Sequence, residues 1–458
     1  MFNDLQFLKI DLPEDILKLK CNGDFDKAIK LIDIKLKKDI PVALKKRLEL
    51  EKEIISVIKG EYPYSFEQAL ELLQKNIKDF KEKELIELQE ENAVDWIFIN
   101  GKEYFIESFY DNLIITKQEI ACRQIEIVNS ESDKKKQQLL DDNVKRMKEN
   151  QNIAYHFCVR ASLKIKEESA RLDKTVKVYL PVPNNAQQVK NVKLIKTEPK
   201  SKFIAPFNFP IRTVYFEEEL KPNQEFMVEY SYETHMKYIE PDPVEVSEIQ
   251  PSFNTDELAP HIMFSPYIKE LYKEIVGIEK NPLIKARKIY DFITTKIKYS
   301  YVRKYFTILN ISEYAALNMK GDCGVQAILF ITLCRYGGIP AKWQSGLYVT
   351  PYNVGGHDWA QFYIEPYGWL FADLSFGGSA YRKGKMDRWN FYFGNLDPFR
   401  MPANSEFQNE LEPPKKHLRY DPYDNQYGEC EYEDRGLRRE EYITNNILVD
   451  MKEIRFEK

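Results

Sequence analysis

Apolar residues recur at helical spacing through the first ninety positions. Phe25, Ala28, Ile29, Ile32 and Leu36 follow a Gly23-Asp24 break, and Leu44, Leu48, Ile55 and Ile58 follow Pro41. A third stripe, Ala69, Leu73, Ile77 and Phe80, lies behind Ser65 with Gln68 three places on, the pairing of a capping box. These patterns predict short antiparallel helices. Apolar runs on either side of Asn100-Gly101, within Val94 to Ser108, predict a hairpin with a type I′ turn. Helical spacing returns from Ile114 to Asn150, closing in the charge-rich run from Lys134 to Lys148, which reads as a solvated helix or connector. Near Ala154 the pattern becomes β-rich. Segments over 155–165, 175–180, 189–196, 213–218 and 226–232, separated by Pro, Asn and similar turn residues, predict a β-sandwich. A linker rich in Pro, Glu and Ser follows over 239–260, and then two helices over 266–278 and 282–297, the second with Ala286, Ile289, Ile293 and Ile297 on one stripe.

No repeat at a fixed period joins the N-terminal helices, so an accessory domain is favoured over a solenoid. A helix followed by a hairpin could form a winged helix, but the segment lacks a basic recognition face, which argues against nucleic acid. Composition agrees. The 458 residues are 43% hydrophobic and 30% charged with a formal net charge of -5, enough apolar material for several cores and the wrong sign for nonspecific attraction to nucleic acid or anionic membrane. The six cysteines are scattered without a C-x-x-C pair, which fits reduced thiols. The N-terminus lacks a basic region followed by an apolar run, and no stretch of eighteen apolar residues occurs, so a cytoplasmic protein with no membrane segment is expected.

Chemistry concentrates in Gly321 to Pro340. Asp322 reads as the N-cap of a largely apolar helix that Gly337 and Gly338 end. Cys323 therefore falls in the first turn, where free N–H groups and the positive dipole end are expected to lower a thiol pKa. Cys334 lies about three turns on, roughly 16 Å away, too far for a disulfide and best read as a small core residue. Downstream, Gly355-Gly356-His357-Asp358-Trp359 begins one strand, and Trp369 to Asp373 ends the next beyond a Pro366-Tyr367-Gly368 turn. An antiparallel hairpin brings the start of the first strand to the end of the second, so His357 and Asp373 are expected within two or three positions of facing. A thiol nucleophile needs an imidazole to take its proton and later protonate a leaving amine, and the imidazole needs an acceptor that fixes its tautomer. Cys323, His357 and Asp373 supply those parts, and the N–H of Cys323 could be one oxyanion donor.

The Gly-Asp-Cys-Gly run, the helix ending Cys-Arg-Tyr-Gly-Gly-Ile-Pro-Ala, the His-Asp-Trp strand and the Tyr-Gly-Trp hairpin closing on Asp373 resemble the transglutaminase-like superfamily, particularly its bacterial intracellular members. The resemblance covers about 260–402 and implies a papain-like core with Cys323 as nucleophile, His357 as base and acid, and Asp373 as orienter. It implies acyl transfer on amides: crosslinking, deamidation or peptide hydrolysis. Where animal relatives place a tryptophan that assists the oxyanion, this chain offers Tyr299 or Tyr301. Their crosslinking also needs calcium, and the acids between Asp421 and Glu429 have the wrong spacing for an EF-hand loop, so hydrolysis is favoured. The expected fold class is α+β and multidomain: a helical region over 1–150 with a hairpin near 94–108, a β-sandwich over 151–240, a transglutaminase-like core over 255–402 in which a central helix packs on an antiparallel sheet, and an extension over 403–458 with no assigned chemistry.

Taken singly, Cys323 reads as a buried hydrophobe, His357 as a structural histidine and Asp373 as a turn residue; one mechanism that uses all three outweighs those readings. Zinc is disfavoured because paired ligand spacings are absent, and no metal or cofactor is expected. His156, His235, His261 and His417 have no such company, and Trp343, Trp359, Trp369 and Trp389 read as core before substrate platform. The leading expectation is a cysteine hydrolase or acyltransferase acting on peptide or isopeptide-type amides, with protein or peptide as substrate. The alternative is a non-catalytic adaptor that uses the same fold, the N-terminal helices recruiting a protein partner.

Overall fold

The computed structural model describes residues 2–126 and 131–455. Five α-helices, Glu14–Cys21, Phe25–Leu36, Val42–Glu61, Phe66–Asn76 and Glu82–Glu90, turn their apolar stripes into one core in which Ile16, Ile32, Ile55, Leu73 and Leu85 are fully buried. The capping box forms: Ser65 Oγ accepts from Gln68 N at 3.3 Å, and Gln68 Oε1 accepts from Ser65 N at 2.9 Å. That helix stops at Asn76, short of Phe80, because Ile77 turns extended and bridges to Gln124 while its side chain stays in the core. Asn100 and Gly101 both take positive φ, 50° and 85°, and join strands Trp96–Ile99 and Lys102–Phe105, the backbone a type I′ turn requires.

Helix Glu131–Asn150 carries the charge run and leads into two four-stranded sheets. One sheet runs, edge to edge, Tyr442–Glu453, Asn152–Ile165, Phe226–Lys237, Val189–Glu198. The other runs Glu429–Tyr432, Thr175–Pro181, Thr213–Glu219, Phe203–Ile204. Their inner faces meet through contacts such as Phe216 on Phe226, ring centres 5.7 Å apart. The sequence division needs one correction here. The expected extension over 403–458 does not stand apart in its described residues, 403–455, since Cys430 pairs with Val178 and Tyr442 with Ile165, giving each sheet an edge strand. The polar residues of Ile443–Glu453 mask its alternation, and which distant strand it joins is a tertiary choice that local pattern does not carry.

The remaining core has a five-stranded antiparallel sheet in the order Phe393–Gly394, Gly368–Ala372, Asn353–Ile364, Ala341–Thr350, Arg400–Asn404. Helix Cys323–Tyr336 packs on it, with Phe330 against Phe362 at 5.7 Å and every residue from Gly324 to Cys334 buried. Such burial on all sides explains why its apolar pattern shows no polar stripe. Helices Pro266–Val276, Pro282–Lys296 and Leu374–Arg382 flank it. The Pro-rich stretch 239–260 stays irregular but is tied down, Ile239 N donating to Asn395 Oδ1 at 2.8 Å and Ser247 N to Glu365 O at 3.0 Å. Among the described residues no helix is long and apolar enough to cross a membrane.

Candidate active site

Asp322 caps the central helix as its residue type predicts: its backbone is extended and its carboxylate accepts from Val325 N at 3.1 Å. Tyr305 Oη donates to the same carboxyl oxygen at 2.5 Å and fixes the cap. Cys323 is thereby the first helical residue, half-buried, its N–H preceding the helical ladder. Glycine is required next in line, because a Cβ at Gly324 would lie 2.2 Å from Tyr305 Oη and 2.8 Å from Asp358 Oδ2.

The hairpin brings the other two residues together. Ala360 pairs with Ala372, so continuing that register puts His357 opposite Ser375, two positions past Asp373. His357 Nε2 and Asp373 Oδ2 lie 2.8 Å apart, both residues buried. Phe376, Trp359 and Tyr348 surround the imidazole at ring-centre distances of 4.8, 5.9 and 6.4 Å and hold its plane. Asp373 also caps the next helix, its other oxygen accepting from Phe376 N at 3.0 Å. With Nε2 committed to Asp373, Nδ1 is the ring nitrogen left for the cleft.

One partner of this pair, and the carboxylate that holds it, are not marked in the sequence. Arg400, wholly buried, donates through Nη2 to Asp373 Oδ2 at 2.7 Å and through Nη1 to both oxygens of Asp397 at 2.8 and 2.9 Å. Its guanidinium lies over Phe376 and Tyr348, 4.2 and 4.7 Å from the ring centres. Burial alone would raise the Asp373 carboxyl, but the charges and hydrogen bonds of His357 and Arg400 overturn that and hold it well below the usual carboxylate range. Asp373 is therefore ionised, and the imidazole N–H donates to it. An arginine in an Asp-Pro-Phe-Arg-Met-Pro run carries no local signal of this role; only the pairing of strand Arg400–Asn404 with Ala341–Thr350 puts it there.

The sulfur departs from expectation. Cys323 Sγ donates to Asp358 Oδ2 at 3.3 Å, while the hydrogen bond of His357 goes to Asp373. Burial, followed by the charges of Asp358 and Asp322, pushes the thiol pKa well up, so the lowering predicted from the helix terminus is overruled. Asp358 is itself raised by burial and by the neighbouring Asp424 and Asp322. Gln426 donates to Asp358 and, at 2.9 Å, to Asp424 Oδ2, and Ser345 Oγ donates to Asp424 Oδ2 at 2.6 Å. Gly356 N donates to Tyr427 Oη at 2.5 Å, so the segment after Pro402, where no chemistry is expected from sequence, braces the first residues of the His357 strand.

Cys323 and His357 open into one cleft of about 880 Å³, which Tyr299 and Tyr301 also line. Asn112, from the N-terminal helices, clamps the Tyr301 backbone in both directions, accepting from its N at 2.7 Å and donating to its O at 3.0 Å. Helix Glu131–Asn150 forms another wall. Its Asp141 lies 2.9 Å from Arg388 and 3.1 Å from Lys385, and Gln137 accepts from Arg388 at 2.6 Å. Cys334 is fully buried in the core, as are Trp343 and Trp359 apart from a trace of surface. His261 is buried with Nε2 2.5 Å from Tyr423 Oη, its pKa pushed down to about 3 by burial; His235 contacts Glu233 at 2.8 Å and His417 contacts Glu433 O at 3.0 Å. Among the described residues no three His, Cys, Asp or Glu side chains are grouped to hold a metal.

Residues 269–374 match the model of the transglutaminase-like superfamily. Among solved structures the chain is similar to a candidate cysteine protease from Cytophaga hutchinsonii, at 15% identity over 67% of this chain and 92% of that one, with a TM-score of 0.43. It is also similar to the periplasmic domain of TgpA from Pseudomonas aeruginosa, at 11% identity over 55% of this chain and 96% of that one, with a TM-score of 0.29. No curated protein matches the chain.

Proposed function

From a chain whose residues 269–374 form a transglutaminase-like superfamily domain, we propose a cysteine enzyme that cleaves or transfers the acyl group of a peptide or isopeptide-type amide through a Cys323 thioester. The observation that carries the reading is the buried His357–Asp373 pair, 2.8 Å apart, opening into the same cleft as a cysteine at a helix tip. In the proposed first step the thiol leaves Asp358 and gives its proton to His357 Nδ1 as sulfur attacks the amide carbon. The C–N bond then breaks, the amine leaves with the proton from His357, and the acyl group stays on sulfur. Water, deprotonated by His357, attacks the thioester, releasing the carboxylic acid and restoring the thiol. Because the resting thiol is held neutral, proton transfer accompanies attack and no thiolate–imidazolium pair waits in the resting enzyme. The N–H of Cys323 and the hydroxyl of Tyr299 or Tyr301 are the proposed oxyanion donors. Hydrolysis is favoured over crosslinking, and a reducing cytoplasm is the proposed setting, since Cys323 works only as a free thiol.

One observation favours the non-catalytic reading: sulfur is bonded to a carboxyl group, which does not activate it. The two readings separate by mass spectrometry of Gln-containing and isopeptide-linked peptides incubated with the full chain and with Cys323→Ala. The enzyme reading expects product from the former alone. Equal product from both, or none from the full chain over a broad peptide set, overturns it.

A further inference from the structure

Although the whole chain carries a formal charge of -5, one part of the cleft is crowded with cations. Arg388 and Lys385 are satisfied by Asp141. Lys134, Lys136, Arg382 and Lys383 also line the cleft, where the one further carboxylate of the lining is Asp133, whose charge acts on Lys383. They come from two separate elements, the start of helix Glu131–Asn150 and the end of helix Leu374–Arg382. The helix dipole explains cations at the second place and opposes a lysine at the first, where Lys134 sits in the first turn. Lys136 leans over the Tyr348 ring at 5.7 Å, the same ring that faces His357.

We propose that this wall is a subsite for an acidic side chain of the substrate, so that the enzyme selects carboxylate-bearing peptides. Six cations in this lining face two carboxylates, Asp133 and Asp141, so like charges repel one another and an anionic ligand relieves them. Lys383 shows the strain: crowding by the cleft walls and then the charge of Arg388 lower its pKa, Asp133 opposes, and Lys136 and Arg382 lower it further. Arg382 is lowered by the same crowding while keeping contact with water. Helix Leu374–Arg382 starts at Asp373, beside His357, and its nine residues carry Arg382 roughly 13 Å away at 1.5 Å per residue. An extended peptide advances about 3.3 Å per residue, so the acidic residue belongs about four positions from the amide that reaches Cys323.

The inference rests on the proposed function only in taking a peptide as the occupant, and binding tests it with the nucleophile removed. Full-length Cys323→Ala is titrated into a fluorescein-labelled Gly-Ser peptide bearing one Gln and, about four positions away, Glu, Gln or Lys. Anisotropy at low salt should show the Glu peptide bound about tenfold more tightly than the Gln peptide, with the preference shrinking as salt rises. Adding Arg382→Glu and Lys383→Glu should erase the preference, whereas Lys200→Glu, which is outside the cleft lining, should leave it. If the double reversal lowers the melting temperature, Lys134→Glu with Lys136→Glu tests the opposite wall. Equal affinity for the three peptides, no binding of any, or a preference that survives both reversals overturns the subsite. Turnover by the unsubstituted chain is read separately: peptide binding without product sinks the enzyme reading and leaves the subsite standing.

Discussion

Asp373 Oδ2 accepts from His357 Nε2 at 2.8 Å and from Arg400 Nη2 at 2.7 Å. The carboxylate that orients the imidazole is thus the centre of a buried charge network, so its removal should damage both chemistry and stability. Asp373→Asn leaves Arg400 with Asp397 alone and offers His357 an amide that fits either tautomer. Steady-state kinetics should show a fall of about 10²–10⁴ in kcat, and urea unfolding a loss of about 3–5 kcal/mol. Arg400→Lys keeps the charge and loses the fork, so it should lower stability by less. An Asp373→Asn protein as active and stable as the parent would refute the arrangement.

Burial and, after it, the charge of Asp358 raise the Cys323 thiol. Asp358→Asn should therefore move the pH profile of iodoacetamide labelling at Cys323 toward acid and speed labelling at neutral pH. Cys334, fully buried, should label only on unfolding. An unmoved profile would show that burial alone governs the sulfur.

Glu61 accepts from Lys304 N at 3.1 and 2.9 Å, where the N-terminal helices meet the loop after Tyr301. Burial pushes its pKa from the ordinary 4.5 up to about 7, against the lowering effect of that N–H and of Lys304 and Arg303. The folded chain holds this proton more tightly than the unfolded chain. Its contribution to stability is full below 4.5 and is lost as pH rises through 7. Asp373, held low, acts in the opposite sense, its contribution present above the ordinary carboxyl pKa and lost as pH falls. Urea unfolding should show a stability that falls from pH 5 to pH 8, and Glu61→Gln should flatten that fall by an amount on the order of 1 kcal/mol. An identical slope in the variant would remove Glu61 from the account.

Gly346 pairs with His357 across one strand boundary and touches the Arg400 strand across the other. A Cβ there would lie 2.0 Å from Met401 O and 2.8 Å from Ala403 N, both backbone atoms that cannot rotate away. Gly346→Ala should cost about 2 kcal/mol or more in urea unfolding, and should reduce activity by pushing Arg400 away from Asp373. Wild-type stability would mean the strands separate freely.

The elements that pattern alone predicted well are those whose signal is local. The Ser65 capping box, the Asn100-Gly101 turn and the strands from Asn152 to Lys237 each rest on residues a few positions apart. The His357–Asp373 contact was also legible, because hairpin register converts sequence separation into distance. Arg400, Asp397, Gln426 and Tyr427 were hidden because they reach the site through strand order and a returning loop, which no short window records. The direction of the Cys323 thiol was misread for the same reason: the helix terminus is written locally, whereas Asp358 beside the sulfur depends on how helix and sheet dock.

The last two strands, Glu429–Tyr432 and Tyr442–Glu453, lie against strands from the first half of the chain. Neither sandwich sheet has all its strands until these segments return to them, and the same returning stretch brings Tyr427 to the backbone of Gly356. Closing the sandwich and bracing the start of the His357 strand are thus one folding event, so a lesion in residues 429–453 would be felt in the cleft.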